Sequence, residues 1–164
     1  MLSSCVKDMD IDSLEDSGAL PIVDTELVTS NFDLTAMNAS ESRIITDTVT
    51  LNIGTPEFSK QQLSQANLTF KFLNSSPHYF NVDFEFLNDS DELRHQVNVS
   101  VSPGTSDNPS SIETLILIEE PEILNFRECK KLIYKIKLPQ DKELSSSENM
   151  GSLILTSKAN FFFE

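Results

Sequence analysis

Apolar and polar residues alternate along most of this chain, most cleanly between Leu68 and Val101. Successive side chains of a strand point to opposite faces, so a period of two sorts each run into a dry and a wet face. Leu68, Phe70 and Phe72 share one face of a first run. Phe80, Val82, Phe84 and Phe86 share one face of a second, and Val97, Val99 and Val101 one face of a third. Thr69, Lys71, Asn81, Asp83, Glu85, Asn98 and Ser100 take the opposite faces. Turn formers separate the runs, Asn74 to His78 and then Asn88 to Glu92. This pattern predicts an antiparallel meander, buried on one face and solvated on the other.

The flanking segments continue in kind. Ile22 to Thr35 reads as one or two strands, with Val23, Thr25, Leu27 and Thr29 opposite Ile22, Asp24, Glu26 and Val28. Ile45, Val49, Leu51 and Ile53 alternate with Thr46, Thr48, Thr50 and Asn52, and Gly54-Thr55-Pro56 ends that run. Phe58 to Leu63 fits a single helical turn. Between Ile112 and Ile118 both parities become apolar, which predicts a central strand covered on two sides. Lys131, Lys135 and Lys137 oppose Leu132, Tyr134, Ile136 and Leu138, the pattern of an edge protected by charge. The run from Leu153 to Phe163 predicts a last strand paired inside a sheet. Glu120 to Arg127 is the best helical segment, with proline and acids in its first turn. It is short and suited to plugging an open end. The whole predicts an all-β fold: a mostly antiparallel β-sandwich of roughly eight or nine strands with one short helix, spanning residues 22–164. Residues 1–21 are polar and acid-rich without a sustained period, and read as a flexible tether.

Charge narrows the function classes. The 164 residues hold 26 acids and 12 bases, a formal net charge of −14. Nucleic-acid binding needs a basic face that displaces counterions, so no nucleic-acid partner is expected. No apolar run approaches the length of a membrane-spanning helix. Eleven phenylalanines against two tyrosines and no tryptophan make the aromatic content core filler rather than stacking platforms for sugars. Two cysteines and two histidines match no metal-ligand spacing, and neither a metal site nor a cofactor is expected.

Several clusters carry candidate chemistry. Asp89, Asp91 and Glu92 form a possible cation or ligand loop, because alternating oxygens suit a hard cation. The segment lacks the turn glycine and loop-final glutamate of a calcium-binding helix-loop-helix, and reads first as a hairpin turn. Together with the loop Thr105 to Ser111 it defines the alternative function, a glycan- or calcium-binding module. Asp83 and Glu85 could in principle serve as a carboxylate pair for glycoside hydrolysis, but two positions apart on a strand they read as a solvated face. His78 and His95 have no nucleophile elbow to work with, and His95 reads as an exposed residue at a strand entry. Cys129 precedes Lys130 and Lys131, which could activate it, yet reads as a half-buried free thiol. No catalytic residue is assigned, and the chain is expected not to be an enzyme.

The N-terminal segment carries a resemblance. Leu2-Ser3-Ser4-Cys5 resembles a bacterial lipobox, and Val6-Lys7-Asp8-Met9-Asp10 is similar to the lysine-plus-acid signals of Bacteroidetes surface lipoproteins, with Met9 interrupting the acid pair. The layout of cysteine, acidic tether, Leu20-Pro21-Ile22-Val23-Asp24 and β-rich body looks like that of small flavobacterial lipoproteins. The resemblance implies that a signal peptide stands upstream of Met1 and that Cys5 is the lipid attachment residue. It also implies an outer-membrane lipoprotein, surface-exposed or periplasmic. The expected partners are the lipid bilayer, through the acyl anchor, and a protein not identified by the sequence.

Overall fold

The computed structural model describes residues 21–34, 44–54, 56–138 and 151–164. Eight strands run in order among them: β1 (Ile22–Asp33), β2 (Ile44–Thr50), β3 (Leu63–Asn74), β4 (Phe80–Leu87), β5 (Leu93–Val101), β6 (Ser110–Ile118), β7 (Lys131–Lys137) and β8 (Ser152–Phe163). A 3-10 turn, Lys60–Gln62, precedes β3, and one short helix, α1 (Glu122–Phe126), lies between β6 and β7. The expected helical turn near Phe58 is thus present. Its start is fixed where the Ser59 N–H donates to Gln62 Oε1 at 2.9 Å.

Strand pairing is nested. β1 pairs with β8, β2 with β7, β3 with β6 and β4 with β5, all antiparallel. The chain is therefore one long ribbon, doubled back at the turn between β4 and β5. Two further antiparallel pairings, β3 with β8 and β4 with β7, roll the ribbon into two four-stranded sheets. The first sheet has the order β1-β8-β3-β6 and the second β2-β7-β4-β5. Eight strands in a double sheet wound this way form a jelly roll, one of the β-sandwich architectures. The expected all-β antiparallel sandwich with a short helix is what the chain adopts.

Three details of strand placement differ from expectation. The predicted meander is broken, because β3 belongs to the first sheet while β4 and β5 belong to the second. Residues 75–79 carry the chain across the sandwich instead of reversing it within one sheet. β6, expected to be central, is an edge strand, and its second apolar parity faces outward with Leu115 and Leu117 exposed. β7, expected to be an edge, lies between β2 and β4. Its lysines are tolerated there because acids of β4 sit within reach. The last strand, β8, lies between β1 and β3 as expected.

The core follows from parity. Phe70 and Phe72 of β3 point inward from one sheet, Phe80, Val82, Phe84 and Phe86 of β4 from the other, and all are buried. Phe70 and Phe84 meet across the sandwich with ring centroids 4.1 Å apart. Phe72 and Tyr134 flank Phe84 at 6.2 and 6.4 Å. Helix α1 closes one end of the roll by burying Ile123 and Phe126. The Phe126 ring spans both sheets, 5.3 Å from Phe86 and 6.4 Å from Phe161.

The crossing at the end of β3 is held by one side chain. Asn74 is fully buried. Its Nδ2 donates to the His78 carbonyl at 2.8 Å and to the Ser102 carbonyl at 2.9 Å, while its Oδ1 accepts from the Ser76 N–H at 2.9 Å. Gly104 seals the same corner, with its N–H 2.7 Å from the Ser76 carbonyl. A Cβ at Gly104 would sit 2.2 Å from the Asn74 carbonyl oxygen, so no larger residue fits.

Residues 1–20, most of the expected tether and with it Cys5, lie outside the described residues. Pro21, its last residue, is tied in: its carbonyl accepts from the Phe163 N–H at 3.1 Å.

Candidate functional site

The tip of the ribbon is the turn that holds Asp89, Asp91 and Glu92. Asn88 organises it. The Asn88 Oδ1 accepts from the backbone N–H of Ser90 at 3.0 Å and of Glu92 at 2.9 Å, the behaviour of an Asx turn. Asp91 takes a positive φ of 60°, which aspartate tolerates better than most residues. Two of the three carboxylates already face cations. Glu92 Oε2 accepts from Arg94 Nη2 at 2.7 Å and from Asn88 Nδ2 at 2.8 Å. Asp91 Oδ1 lies 2.6 Å from Lys131 Nζ. Asp89 is exposed on the tip. A cation taken up here would have to displace Arg94 and Lys131, which offsets much of what the oxygens could offer. Among the described residues no group of three or more metal-ligating side chains comes together.

The second loop of the alternative reading is not a neighbour of the first. Thr105 to Ser111 follows β5, and the tip precedes it. The two loops are separated by the length of β5, roughly 25 to 30 Å at the usual rise per strand residue. Within the 105–111 loop the Asn108 N–H donates to Thr105 Oγ1 and the Thr105 N–H to the Asn108 carbonyl, both at 3.0 Å. The loops cannot close on one ligand of ordinary size.

The outer face of the second sheet is a ladder of polar side chains. Asp83 of β4 lies 2.5 Å from Lys137 Nζ of β7 and accepts from Asn98 Nδ2 of β5 at 2.5 Å. Lys135 Nζ reaches both oxygens of Glu85, at 2.9 and 3.0 Å. Ser100 Oγ donates to Asn81 Oδ1 at 3.0 Å. The carboxylates expected on a merely solvated face are thus clasped across three strands. The hydrogen bond from Lys137 holds the Asp83 carboxyl below its ordinary value, against a smaller opposing effect of burial, and Asn98 adds to the lowering. A carboxyl held ionised is a poor proton donor near neutral pH, which leaves Asp83 ill-suited to the acid role in glycoside hydrolysis.

A folded-state value below the unfolded one contributes stability that is complete above the unfolded value, near 3.8, and is lost as pH falls through the folded value. The variant Asp83→Asn is therefore expected to melt a few degrees below the parent at pH 7. The gap should close in the acid limb below about pH 4. Thermal melts of both proteins from neutral to acid pH check this. A gap that stays constant across that range would show that the ion pair is not its source.

The remaining candidates are packed rather than poised. Cys129 is buried and makes no disulfide among the described residues. Burial pushes its thiol up to about 12, with Arg94 opposing and Glu128 adding to the rise, so it is a thiol and not a thiolate at neutral pH. His95, expected to be exposed, is half-buried between Phe86 and Phe126, at ring distances of 5.9 and 6.2 Å. Burial holds its pKa below the usual histidine value, with Glu122 pulling the other way. His78 is also buried. Tyr134 buries its ring and donates its hydroxyl to Asp47 Oδ2 at 3.2 Å, whereas Tyr79 is exposed.

Two small hollows open on the outer face of the first sheet. One of about 150 Å³ is lined by Thr69, Lys71 and Lys158, and one of about 210 Å³ by Asp24, Glu26 and Thr156. On β6, next to the first of them, Leu115 and Leu117 are 63% and 51% exposed. The alternation by itself places these leucines on a covered face. The signal against that reading was present: Glu113 shares their parity and the flanking residues Glu119 and Glu120 are charged, which a strand buried on both faces would not tolerate.

No protein-family model matches the chain, and no curated protein does. Solved structures match in fold. The infectious bursal disease virus VP2 subviral particle superposes with a TM-score of 0.52 at 9% identity, over 88% of this chain and 32% of that one. A chain from the structure of the Gt strain of infectious bursal disease virus gives 0.54 at 9% identity, over 88% and 33%. A protein of Parabacteroides distasonis that carries a secreted-protein assignment gives 0.53 at 8% identity, over 72% and 37%. The chain spans about a third of the length of these matched chains. At such identities the likeness defines the class, an eight-stranded antiparallel β-sandwich, and nothing narrower.

Proposed function

We propose that this chain is a non-enzymatic, lipid-anchored protein of the bacterial cell envelope. Its sandwich serves a structural or protein-interaction role on the outer membrane. The observation that carries this reading is the placement of Leu2-Ser3-Ser4-Cys5 ahead of an acid-rich segment that ends where β1 begins. A thioether-linked anchor at Cys5 would gain roughly 0.8 kcal/mol for each methylene buried in the bilayer. One acyl chain holds weakly and several hold durably. The acidic segment and the net charge of −14 would keep the sandwich clear of anionic headgroups. The likeness in fold to a Parabacteroides protein with a secreted-protein assignment is in keeping with an address outside the cytoplasm.

Intact-mass measurement and N-terminal peptide mapping of the protein from its own host test the reading. The expected result is a mature chain that begins at Cys5 and carries acyl mass. In Cys5→Ser the acyl mass should be lost and the protein should move from the membrane to the soluble fraction. A chain that retains Met1 with Cys5 as a free thiol would overturn the anchor.

A further inference from the structure

Among the described residues four strands leave an edge open: β1 and β6 in one sheet, β2 and β5 in the other. Exposed edges invite pairing with other chains, and folded proteins blunt them with charge, proline or bulges. Three of these edges are blunted. β1 is kinked by a register shift between Glu26 and Val28 and carries Asp24 and Glu26 on its outer face. β2 turns the Asp47 carboxylate onto the Thr48 N–H at 2.8 Å. β5 lines its outer face with Arg94, Gln96, Asn98 and Ser100, and shifts register against β4 at Leu87.

β6 is the least guarded of the four, with one charge on its outer row and no bulge. It is nine residues long, holds no proline or lysine, and pairs with β3 from Ser110 to Ile118 without a register shift. Its outer row is Glu113, Leu115 and Leu117, and Glu113 is already countered by Lys71 at 3.0 Å. The acids Glu119, Glu120 and Glu122 follow it, all exposed, and residues 105–126 contain no lysine or arginine.

We propose that the free edge of β6 is a strand-addition site. Its occupant is an extended segment of a partner protein, apolar at alternate positions and basic at the end that meets Glu119, Glu120 and Glu122. Main-chain hydrogen bonds supply affinity in such additions and alternate side chains supply selectivity. Here the selecting groups are Leu115 and Leu117, which would cover apolar neighbours, and the acidic end, which attracts cations. Antiparallel entry, the sense of every pairing among the described strands, sets the basic residues at the N-terminal end of the segment. A second copy of this chain fits less well. Antiparallel self-pairing centred on Ile116 would set Leu115 opposite Leu117, but also Glu113 opposite Glu119, and would bring together two chains of charge −14. The inference rests on the interaction role proposed above. Loss of the Cys5 anchor would leave edge binding intact, so the two failures are distinguishable.

The test is fluorescence anisotropy with the full chain and two synthetic peptides, each with two charged residues followed by alternating valine and threonine. The first begins with two lysines and the second with two glutamates. The lysine peptide is expected to bind in the micromolar range and to weaken as salt rises. The glutamate peptide should bind at least about tenfold more weakly. The double variant Leu115→Lys, Leu117→Lys should weaken the lysine peptide by about tenfold or more. Ile44→Lys on the β2 edge should leave its binding unchanged. Equal binding of both peptides, or no binding of either, would overturn the proposal. So would affinity indifferent to the leucines. If the chain instead self-associates through an interface that the leucine variant abolishes while the lysine peptide fails to bind, the edge belongs to a second copy.

Discussion

The variant Phe84→Ala is expected to lose about 3–5 kcal/mol of folding stability. Phe84 stands where the two sheets meet. It is fully buried, packs at 4.1 Å on Phe70 of the facing sheet, and touches Phe72 and Tyr134. Alanine there forfeits the transfer free energy of the ring and leaves a cavity walled by other rings, which the stiff sheets on either side cannot collapse. Against a typical total of about 5–15 kcal/mol, that loss removes a large fraction of the stability. Urea denaturation of parent and variant checks it. The midpoint should fall sharply while the slope stays the same, because the surface exposed on unfolding hardly changes. Phe84→Leu, which keeps most of the volume, should lose much less. A loss below about 1 kcal/mol for the alanine variant would mean that the sandwich is not organised around the Phe70–Phe84 contact.

Parity made that contact half legible. The alternation at Phe70, Phe72, Phe84 and Phe86 identifies which side chains turn inward, because a strand has only two faces. It says nothing of which strand faces which. Residues 75–79 have the composition of a hairpin turn, and hairpin composition is what a tight crossing between sheets also needs. The same blindness misplaced β6 and β7. Lys135 and Lys137 read as edge charges until the nested pairing brings Glu85 and Asp83 beside them. Leu115 and Leu117 read as buried until β6 proves to lie at the end of its sheet. Strand order is fixed by partners far apart in the chain, and a period of two carries no information about them.

The candidate site was legible to a similar depth. Asp89, Asp91 and Glu92 were recognisable as a turn, and Asn88 makes it one. That Arg94 and Lys131 occupy two of its carboxylates depends on the path of β5 and on a strand some forty residues downstream. The motif at Cys5 is covalent chemistry written in a short linear segment, and no fold is needed to read it. The edge of β6 is the reverse case, invisible without the sheet order.

The variant Asn74→Ala is expected to lose on the order of 4 kcal/mol, although it removes only a few atoms from the corner of the roll. The amide makes three hydrogen bonds, all to backbone groups: those with His78 and Ser76 are buried and the one to Ser102 is part-buried. Removing it orphans the buried His78 carbonyl and Ser76 N–H, at about 1–3 kcal/mol each, while the Ser102 carbonyl, at an exposed residue, adds less. The two carbonyls also fix which end of the side chain is which, since only the –NH₂ can face them. A contrast separates this account from simple cavity formation. Asn74→Asp keeps the shape, and a cavity argument predicts almost no effect. The hydrogen-bond account predicts a severe one, because a carboxylate oxygen would then face two carbonyl oxygens. Such an aspartate is held in its protonated form by the fold, so its folded-state pKa lies above the unfolded value near 3.9. Its deficit should be smallest below that value and grow as pH rises through the folded one. Chemical denaturation of Asn74→Asp at acid and neutral pH reads this directly. A near-neutral effect of the aspartate variant at pH 7 would remove Asn74 as the tie that carries β3 from one sheet to β4 in the other.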